Sequence, residues 1–148
     1  MDENRLKLAK ELGATHTISP ALGDVSKQVF AIVGEDGVDC AIEAVGIPAT
    51  WNMCQDIVKP GGHIAVVGVH GQSVDFKLEK LWIKNLAITT GLVNANTTEM
   101  LMKAISSSSV DYTKMLTHRF KFSELEKAYD VFKHAAENQA MKVVLEAD

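Results

Sequence analysis

The sequence predicts an α/β protein built around a parallel sheet. Residues 38–45 and 63–69 are short, largely apolar segments that contain or adjoin a glycine, which is typical of strands covered on both faces. Between them, residues 48–58 repeat apolar side chains at helical spacing, after a proline that suits the first helical turn. Residues 59–62, Lys-Pro-Gly-Gly, stop this helix and turn the chain. Together these observations predict a βαβ unit with a right-handed crossover.

The segment before this unit predicts two helices and one short strand. Residues 2–12 have an acidic N-terminal end, leucines one turn apart and a stop at Gly13. Residues 16–19 are a predicted short strand closed by a proline. Asp24 is the predicted N-cap of a helix over residues 25–33, whose apolar residues share one face.

The segment after the unit continues the alternation of helices and strands. Residues 78–84 fit a short helix, and residues 86–92 are β-branched and apolar, as in a strand. The next predicted helix covers residues 99–106 and is expected to bury three apolar side chains, those of Leu101, Ala104 and Ile105.

The C-terminal part predicts one more helix and a final strand. Ser123 and Glu126 have the spacing of a capping box. The helix that follows carries apolar residues at positions i, i+3, i+4 and i+7, which are Leu125, Ala128, Tyr129 and Phe132. Residues 143–146 are the predicted final strand.

Composition and charge exclude several classes of protein. A chain of 148 residues with 47% hydrophobic and 23% charged residues is ordinary for a globular domain with a core. The net charge of −4, without a basic patch, argues against nucleic acid binding. No apolar run reaches the roughly 18 residues of a membrane span, and no signal-peptide pattern is present. We therefore expect a cytoplasmic protein.

Cysteines and histidines give no metal signal. Cys40 lies in a predicted strand and Cys54 on a helix face, so both are predicted to be reduced core thiols. The five histidines lack ligand-like spacing to each other, to cysteines or to carboxylates.

Ligands of parallel sheets bind at the carboxyl ends of the strands, which here are residues 44–46 and 67–69. His70 follows the second of these ends and could line the cleft.

Six stretches occur in a specific order along the chain: DENRLKLAKELGATHTI, GVDCAIEAVG, VKPGGHIAVVGV, LWIKNLAITTGL, THRFKFSELEKAYDVF and AMKVVLE. On these stretches the chain resembles the C-terminal half of the zinc-dependent medium-chain alcohol dehydrogenases over essentially its whole length. The resemblance implies an incomplete Rossmann-type doubly wound parallel sheet, three-layered as α/β/α, that lacks the first βαβ strands. It also implies a partial NAD(P)-binding domain over residues 1–92 and a C-terminal segment, of two helices and a final strand, over residues 93–148.

The resemblance further identifies what the sequence lacks. In that family a GxGxxG phosphate loop precedes the first helix seen here, and this sequence contains no GxGxxG. The family's catalytic zinc is bound by ligands from an N-terminal catalytic domain. We therefore expect a truncated form of a longer enzyme, inactive by itself, whose sheet has an open edge at residues 38–45.

The strand ends carry most of the cofactor-binding positions that the resemblance implies. The ribose on the adenine side is expected against the three residues that end the first strand of the βαβ unit, Ala44, Val45 and Gly46. The backbone carbonyls of Val67 and Thr90 match positions that accept hydrogen bonds from the nicotinamide carboxamide. The backbone N–H of Leu92 matches the position that donates to it.

Two charged residues complete the expected cofactor site. Arg5 matches a basic position that contacts the adenosine ribose or its phosphate. Lys142 matches the pyrophosphate contact near the C-terminus, where the family often has Arg. Because Lys is a point charge and not a bidentate fork, a less directional contact is expected.

The resemblance implies the cofactor-binding and dimerisation half of an NAD- or NADP-dependent alcohol dehydrogenase that also requires zinc. In such an enzyme zinc polarises the alcohol oxygen and hydride passes to the nicotinamide. The expected partners are the dinucleotide, a small alcohol or aldehyde, and a second subunit that pairs along residues 86–92 beside Trp82.

Three alternatives stay open from the sequence. A zinc-free quinone reductase of the same superfamily shares this half of the fold. An S-adenosylmethionine-dependent methyltransferase often carries a similar helix, K-P-G-G turn and apolar strand. A stand-alone oligomerisation module without catalysis is the third.

Overall fold

A computed structural model describes residues 2–92 and 94–148. The chain forms two compact units: the residues up to Thr17 together with Ala95–Asp148 form unit 1, and Ile18–Asn94 form unit 2. The predicted domain boundary after residue 92 falls at Val93, which lies outside the described residues. The elements in chain order are α1 Glu3–Glu11, α2 Val25–Val33, β1 Val38–Glu43, α3 Pro48–Ile57, β2 Val58–Val66, α4 Leu78–Leu81, β3 Ala87–Thr90, α5 Thr98–Ser107, β4 Leu116–Lys121, α6 Leu125–Lys133 and β5 Lys142–Glu146.

Unit 2 is built on a parallel three-stranded sheet in the order β1-β2-β3. Helix α3 packs against one face of this sheet, where Trp51 and Cys54 contact Ala41, Val58 and Ile64. Ile64 is fully buried at the centre of this core. The predicted α/β class and the parallel βαβ unit are confirmed, and α2 and α3 begin at the predicted residues.

The other face of the sheet is exposed at β1. Successive side chains of a strand point to opposite faces, so Cys40 and Ile42 lie opposite the core residue Ala41. Cys40 is exposed, and Ile42 has 66% of its surface accessible. The prediction that residues 38–45 are covered on both faces is therefore wrong for this chain, and so is the prediction of Cys40 as a core thiol. Cys54 is buried as predicted.

The strands differ from their predicted bounds at the turns. β2 begins at Val58, directly after α3, and includes the predicted Pro-Gly-Gly turn. The register with β1 shifts between the pair Val38–Val58 and the pair Cys40–His63, so an irregularity absorbs residues 59–62 within the strand. β3 covers only residues 87–90 of the predicted 86–92.

The predicted strand at residues 16–19 does not form. Ser19 instead caps a single turn, because its Oγ accepts a hydrogen bond from the N–H of Ala21 at 3.3 Å. A strand needs a neighbour to complete its hydrogen bonds, and no strand among the described residues pairs with this segment.

A buried glutamine ties α3 to the segment that follows β2. The side-chain amide of Gln55 donates to the carbonyl of Asp75 at 3.0 Å, and its oxygen accepts from the N–H of Lys77 at 2.9 Å. The indole N–H of Trp51 donates to the same Asp75 carbonyl at 2.7 Å. These bonds satisfy polar groups that burial would otherwise leave unpaired.

Unit 1 contains α1, α5, α6 and a parallel pair of strands, β4 and β5. The acidic N-terminal end and the stop at Gly13 are as predicted. In addition, Asp2 caps α1 by accepting hydrogen bonds from the N–H groups of Asn4 and Arg5, and Gly13 has a positive φ. The predicted final strand, β5, pairs with β4. β4 itself was not predicted from the sequence.

Two predictions in unit 1 are wrong. Ser123 does not cap α6, since its hydroxyl donates to Asp148 at 2.9 Å and the capping position is occupied by Glu124. Helix α5 buries none of the predicted residues, and Leu101 and Ile105 are 53% and 45% exposed. The apolar stripe of α5 is present, but among the described residues it stays about half exposed.

Candidate functional site

The loops that follow β1 and β2 meet at the carboxyl edge of the sheet. The backbone carbonyl of Glu43, the last residue of β1, accepts hydrogen bonds from the N–H groups of Val67 and Gly68 at 2.8 and 3.1 Å. A side chain at Gly46 would collide with the backbone of Val69, and Gly46 also has a φ of 86°. Both predicted strand ends therefore belong to one tightly packed junction, and glycine is required where they cross.

The carboxylate of Glu43 organises this junction. One oxygen, Oε1, accepts hydrogen bonds from the N–H groups of Val45 and Gly46, both at 2.9 Å. The same oxygen accepts from the hydroxyl of Thr50, in the first turn of α3, at 2.6 Å. Glu43 is only 1% exposed, so these donors replace the water that an ionised carboxylate requires.

The electrostatics keep Glu43 ionised. Burial alone would raise its pKa, but hydrogen bonds from Thr50, Gly46 and Val45, with the nearby His70, outweigh burial and lower the pKa from 4.5 to about 2. A carboxylate that accepts several hydrogen bonds binds a proton less tightly. Glu43 is therefore a fixed negative charge inside the junction at neutral pH.

His70 lies on the second oxygen of Glu43. Its Nε2 is 3.1 Å from Oε2, and its side chain is 17% exposed. Its Nδ1 is buried, with no hydrogen-bond partner in the part of the chain that the structure describes. The suggestion that His70 could line the cofactor cleft stays a prediction, and the structure places its ring against the carboxylate of Glu43.

Sequence reasoning missed Glu43 and Thr50. The available signal was a charged residue at the inward-facing end of an otherwise apolar strand. Such a residue is rarely buried unless it is paired or hydrogen-bonded, so it marks a local network. The Thr50 hydroxyl, one helical turn after the loop, is the type of donor that such a network needs.

A second feature joins β2 and β3 at the same edge. Val67, Thr90 and Leu92 line a common cleft of about 260 Å³ with four neighbours, Ala65, Val66, Thr89 and Gly91. Val67 and Leu92 are 62% and 95% exposed. The three residues expected near the nicotinamide are thus brought together, with accessible surface on which a ligand could lie.

The two charged site residues lie in unit 1. Arg5 is on α1, where its Nε pairs with Asp2 at 3.2 Å while its side chain remains 53% exposed. Lys142 begins β5 and lines an apolar groove of about 270 Å³ with residues of α6 and β5, including Tyr129 and Phe132. Phe132 is 57% exposed, so the predicted apolar face of α6 is only partly covered.

Neither a metal cluster nor a membrane helix occurs among the described residues. Within residues 2–92 and 94–148, no group of three or more His, Cys, Asp or Glu side chains could hold a metal ion. No helix in these ranges has the length and apolarity needed to cross a bilayer.

The carboxyl ends of the parallel strands lie together beside one cleft. This arrangement defines a doubly wound α/β protein of the kind that binds ligands at strand ends. A family model described as zinc-binding dehydrogenase matches residues 1–107. The chain belongs to the zinc-binding dehydrogenase family.

Relatives of known sequence and structure agree with this assignment. An alcohol dehydrogenase from Cupriavidus necator is 30% identical over 135 residues, which cover 88% of this chain and 37% of the relative. The zinc-dependent alcohol dehydrogenase 2 from Streptococcus pneumonia, solved in its apo form, is 48% identical with a TM-score of 0.91 over 99% of this chain and 43% of that one. A zinc-binding dehydrogenase from Sinorhizobium meliloti, solved bound to NADP, is 25% identical with a TM-score of 0.82 over 96% of this chain and 42% of that one. The chain thus spans less than half the length of these relatives.

Proposed function

We propose that this chain is the cofactor-binding and dimerisation half of an NAD(P)- and zinc-dependent alcohol dehydrogenase. The observation that carries the proposal is the gathering of Val67, Thr90 and Leu92 at one cleft beside the Glu43 junction. Family membership supports it, as does the bound NADP of the Sinorhizobium meliloti relative.

The residues of this cleft fit the nicotinamide end of a dinucleotide. In the proposed complex the carbonyls of Val67 and Thr90 accept from the carboxamide, and the N–H of Leu92 donates to it. The cleft is lined mainly by small and apolar residues, which suits the flat face of the ring. Gly91 has no atom within 4 Å of an added Cβ, so the backbone there is open to a close approach.

The adenosine and pyrophosphate are assigned to the remaining positions. The adenine-side ribose would lie against the loop of residues 44–46. Arg5 keeps part of its guanidinium available beside its ion pair with Asp2. Lys142 would supply a single positive charge to the pyrophosphate, with less directionality than an arginine.

Zinc, when bound in the complete enzyme, supplies a Lewis acid that lowers the pKa of the alcohol. The described residues offer no ligand set for it. We therefore expect the purified 148-residue chain to oxidise no alcohol. NAD(P)H formation by this chain, above a blank without protein, would overturn this part of the proposal.

Cofactor binding is tested by titrating the ¹⁵N-labelled chain and following its amide signals. We expect NADH or NADPH to shift the signals of Val67, Thr90 and Leu92, with dissociation constants in the millimolar range, about −4 kcal/mol. S-adenosylmethionine should leave these signals in place, and it serves as the control for a methyltransferase. Shifts with S-adenosylmethionine and none with either dinucleotide would contradict the proposal.

The proposed dimer contact is the outer edge of β3. Among the described residues, β3 pairs with β2 alone, and Trp82 nearby is 68% exposed. An edge strand with accessible backbone groups can extend a sheet into a second subunit. Light scattering should give a dimer mass that Trp82→Ala lowers toward that of a monomer. Leu22→Ala, which truncates another exposed apolar residue, should leave the dimer intact, and a monomeric wild-type chain would refute the contact.

A further inference from the structure

We propose that Glu43 is a positioning residue for the dinucleotide and that His70 holds it in place by donating its Nε2 proton. This inference rests on the proposed cofactor site. Glu43 does not line the cleft of residues 65–67 and 89–92. It acts through the backbone of the two loops that border the cleft.

Glu43 joins both loops at once. Its side chain accepts from the N–H groups of Val45 and Gly46, and its backbone carbonyl accepts from those of Val67 and Gly68. The loop assigned to the ribose and the loop assigned to the nicotinamide are therefore fixed to one residue. A displacement of Glu43 would move both loops together.

The junction is tightly packed around the second carboxylate oxygen of Glu43. A Cβ at Gly68 would collide with the Oε2 atom of Glu43 and with the backbone nitrogens of Val45 and Gly46. No side chain therefore fits at Gly68 while the carboxylate of Glu43 and the loop of residues 44–46 keep these positions.

The contact between Glu43 and His70 requires a proton on the histidine ring. Because Glu43 is ionised, its oxygens can only accept, so the 3.1 Å contact requires a proton on Nε2 of His70. The buried Nδ1 has no partner in the described part of the chain, so Nε2 is the ring nitrogen that contacts Glu43. The geometry thus places a ring N–H donor toward Glu43.

Glu43→Gln tests this arrangement by changing one oxygen into an N–H group. The Gln oxygen can keep the bonds from Val45, Gly46 and Thr50, but its amide nitrogen then faces the Nε2 proton of His70. Two donors cannot share a hydrogen bond, so His70 must move its proton to the buried Nδ1 or withdraw. The loops lose a charge-assisted contact in either case.

The experiment combines ring-nitrogen NMR with dinucleotide titration of the ¹⁵N-labelled chain. The wild-type ring of His70 should carry its proton on Nε2, and Glu43→Gln should shift it to Nδ1 or disorder the ring. The dissociation constant for the preferred dinucleotide should rise about tenfold in Glu43→Gln, which corresponds to about 1.4 kcal/mol. Amide spectra should show that the variant remains folded.

Variants of His70 give the matched controls. His70→Ala should weaken binding severalfold, and His70→Gln, whose amide can donate from nearly the same place, should restore most of it. His63→Gln changes an exposed histidine on β2 that faces Thr89 at 3.3 Å, and it should bind like the wild type. A loss of binding in His70→Ala without rescue by His70→Gln would contradict the donor role.

The outcomes separate this inference from the proposed function. If the wild type binds a dinucleotide and folded Glu43→Gln binds it equally well, the inference is wrong and the proposed function stands. A wild-type ring protonated on Nδ1 alone would likewise overturn the inference only. If the wild type binds neither NADH nor NADPH, the proposed function fails and the inference fails with it.

Discussion

Acid titration of folding stability should be dominated by one carboxylate, that of Glu43. Its pKa falls from 4.5 to about 2 in the folded chain, so the folded state binds this proton less tightly than the unfolded state. The resulting stabilisation is complete above pH 4.5 and disappears as the pH falls toward 2 and below. At 1.36 kcal/mol for each pKa unit, it amounts to about 3 kcal/mol. Because Glu43 is almost fully buried, solvent screening reduces this value little.

Replacing Glu43 with Gln tests this magnitude, since Gln resembles a permanently protonated Glu. The variant should be less stable than the wild type by about 3 kcal/mol at pH 7, and the two curves should converge near pH 2. Urea unfolding at a series of pH values measures this difference. The fluorescence of Trp51, which is buried in the core of unit 2, reports on the transition.

Asp111→Asn is the matched control. Hydrogen bonds from Thr113 lower the pKa of Asp111 as well, but this carboxylate is exposed at the surface of unit 1. Its removal should leave the acid profile close to that of the wild type. If the Glu43→Gln profile fell as steeply with acid as the wild-type profile, the account of Glu43 as a buried and stabilised charge would be refuted.

Two further predictions concern packing around the same sheet. Gly68→Ala should lower the free energy of unfolding by about 1–3 kcal/mol because the new methyl group overlaps the junction, whereas Gly71→Ala, which has open space, should be nearly neutral. Equal urea midpoints for the two glycine variants would contradict the clash. Gln55→Ala should cost about 1–3 kcal/mol, since it removes two hydrogen bonds between α3 and the segment after β2 and leaves the part-buried N–H of Lys77 without its acceptor. Gln72→Ala, at an exposed position, is its control, and a Gln55→Ala chain of the same stability would show that this bridge contributes nothing.

Helix positions could be predicted from sequence because their signals are local. Asp2 and Asp24 cap α1 and α2 through their own side chains, and a proline opens α3. These contacts lie within three residues of one another, so neither a distant neighbour nor the sheet is needed to recognise them.

Features that depend on distant partners could not be predicted in the same way. An apolar run at residues 38–45 does not show which of its faces a helix covers, and Ile42 stays 66% exposed. Ser123 had the local spacing of a cap, but the carboxylate of Asp148 competes for its hydroxyl. Local pattern therefore indicated which groups need partners, and only the fold decides which partners they obtain.

The strand ends of the site were predictable as a region, and the residue that organises them was not. The rule that ligands gather at the carboxyl ends of parallel strands located residues 44–46 and 67–69. Glu43 binds Val67 and Gly68, which are more than twenty residues away, through its own backbone carbonyl. The spacing of residues in the sequence does not predict a backbone contact over such a separation.

The division of the chain into units has a consequence for the order of folding. Unit 2 is a single continuous segment in which each strand pairs with the next one in sequence, so its contacts close short loops at low entropic cost. Unit 1 joins the first helix to the C-terminal segment, as the 3.5 Å ion pair between Glu11 and Lys114 shows. Since synthesis proceeds from the N-terminus to the C-terminus, α1 leaves the ribosome before residues 95–148, with which it forms unit 1. Unit 2 can therefore assemble during translation, while α1 finds its place only after residues 95–148 have been made.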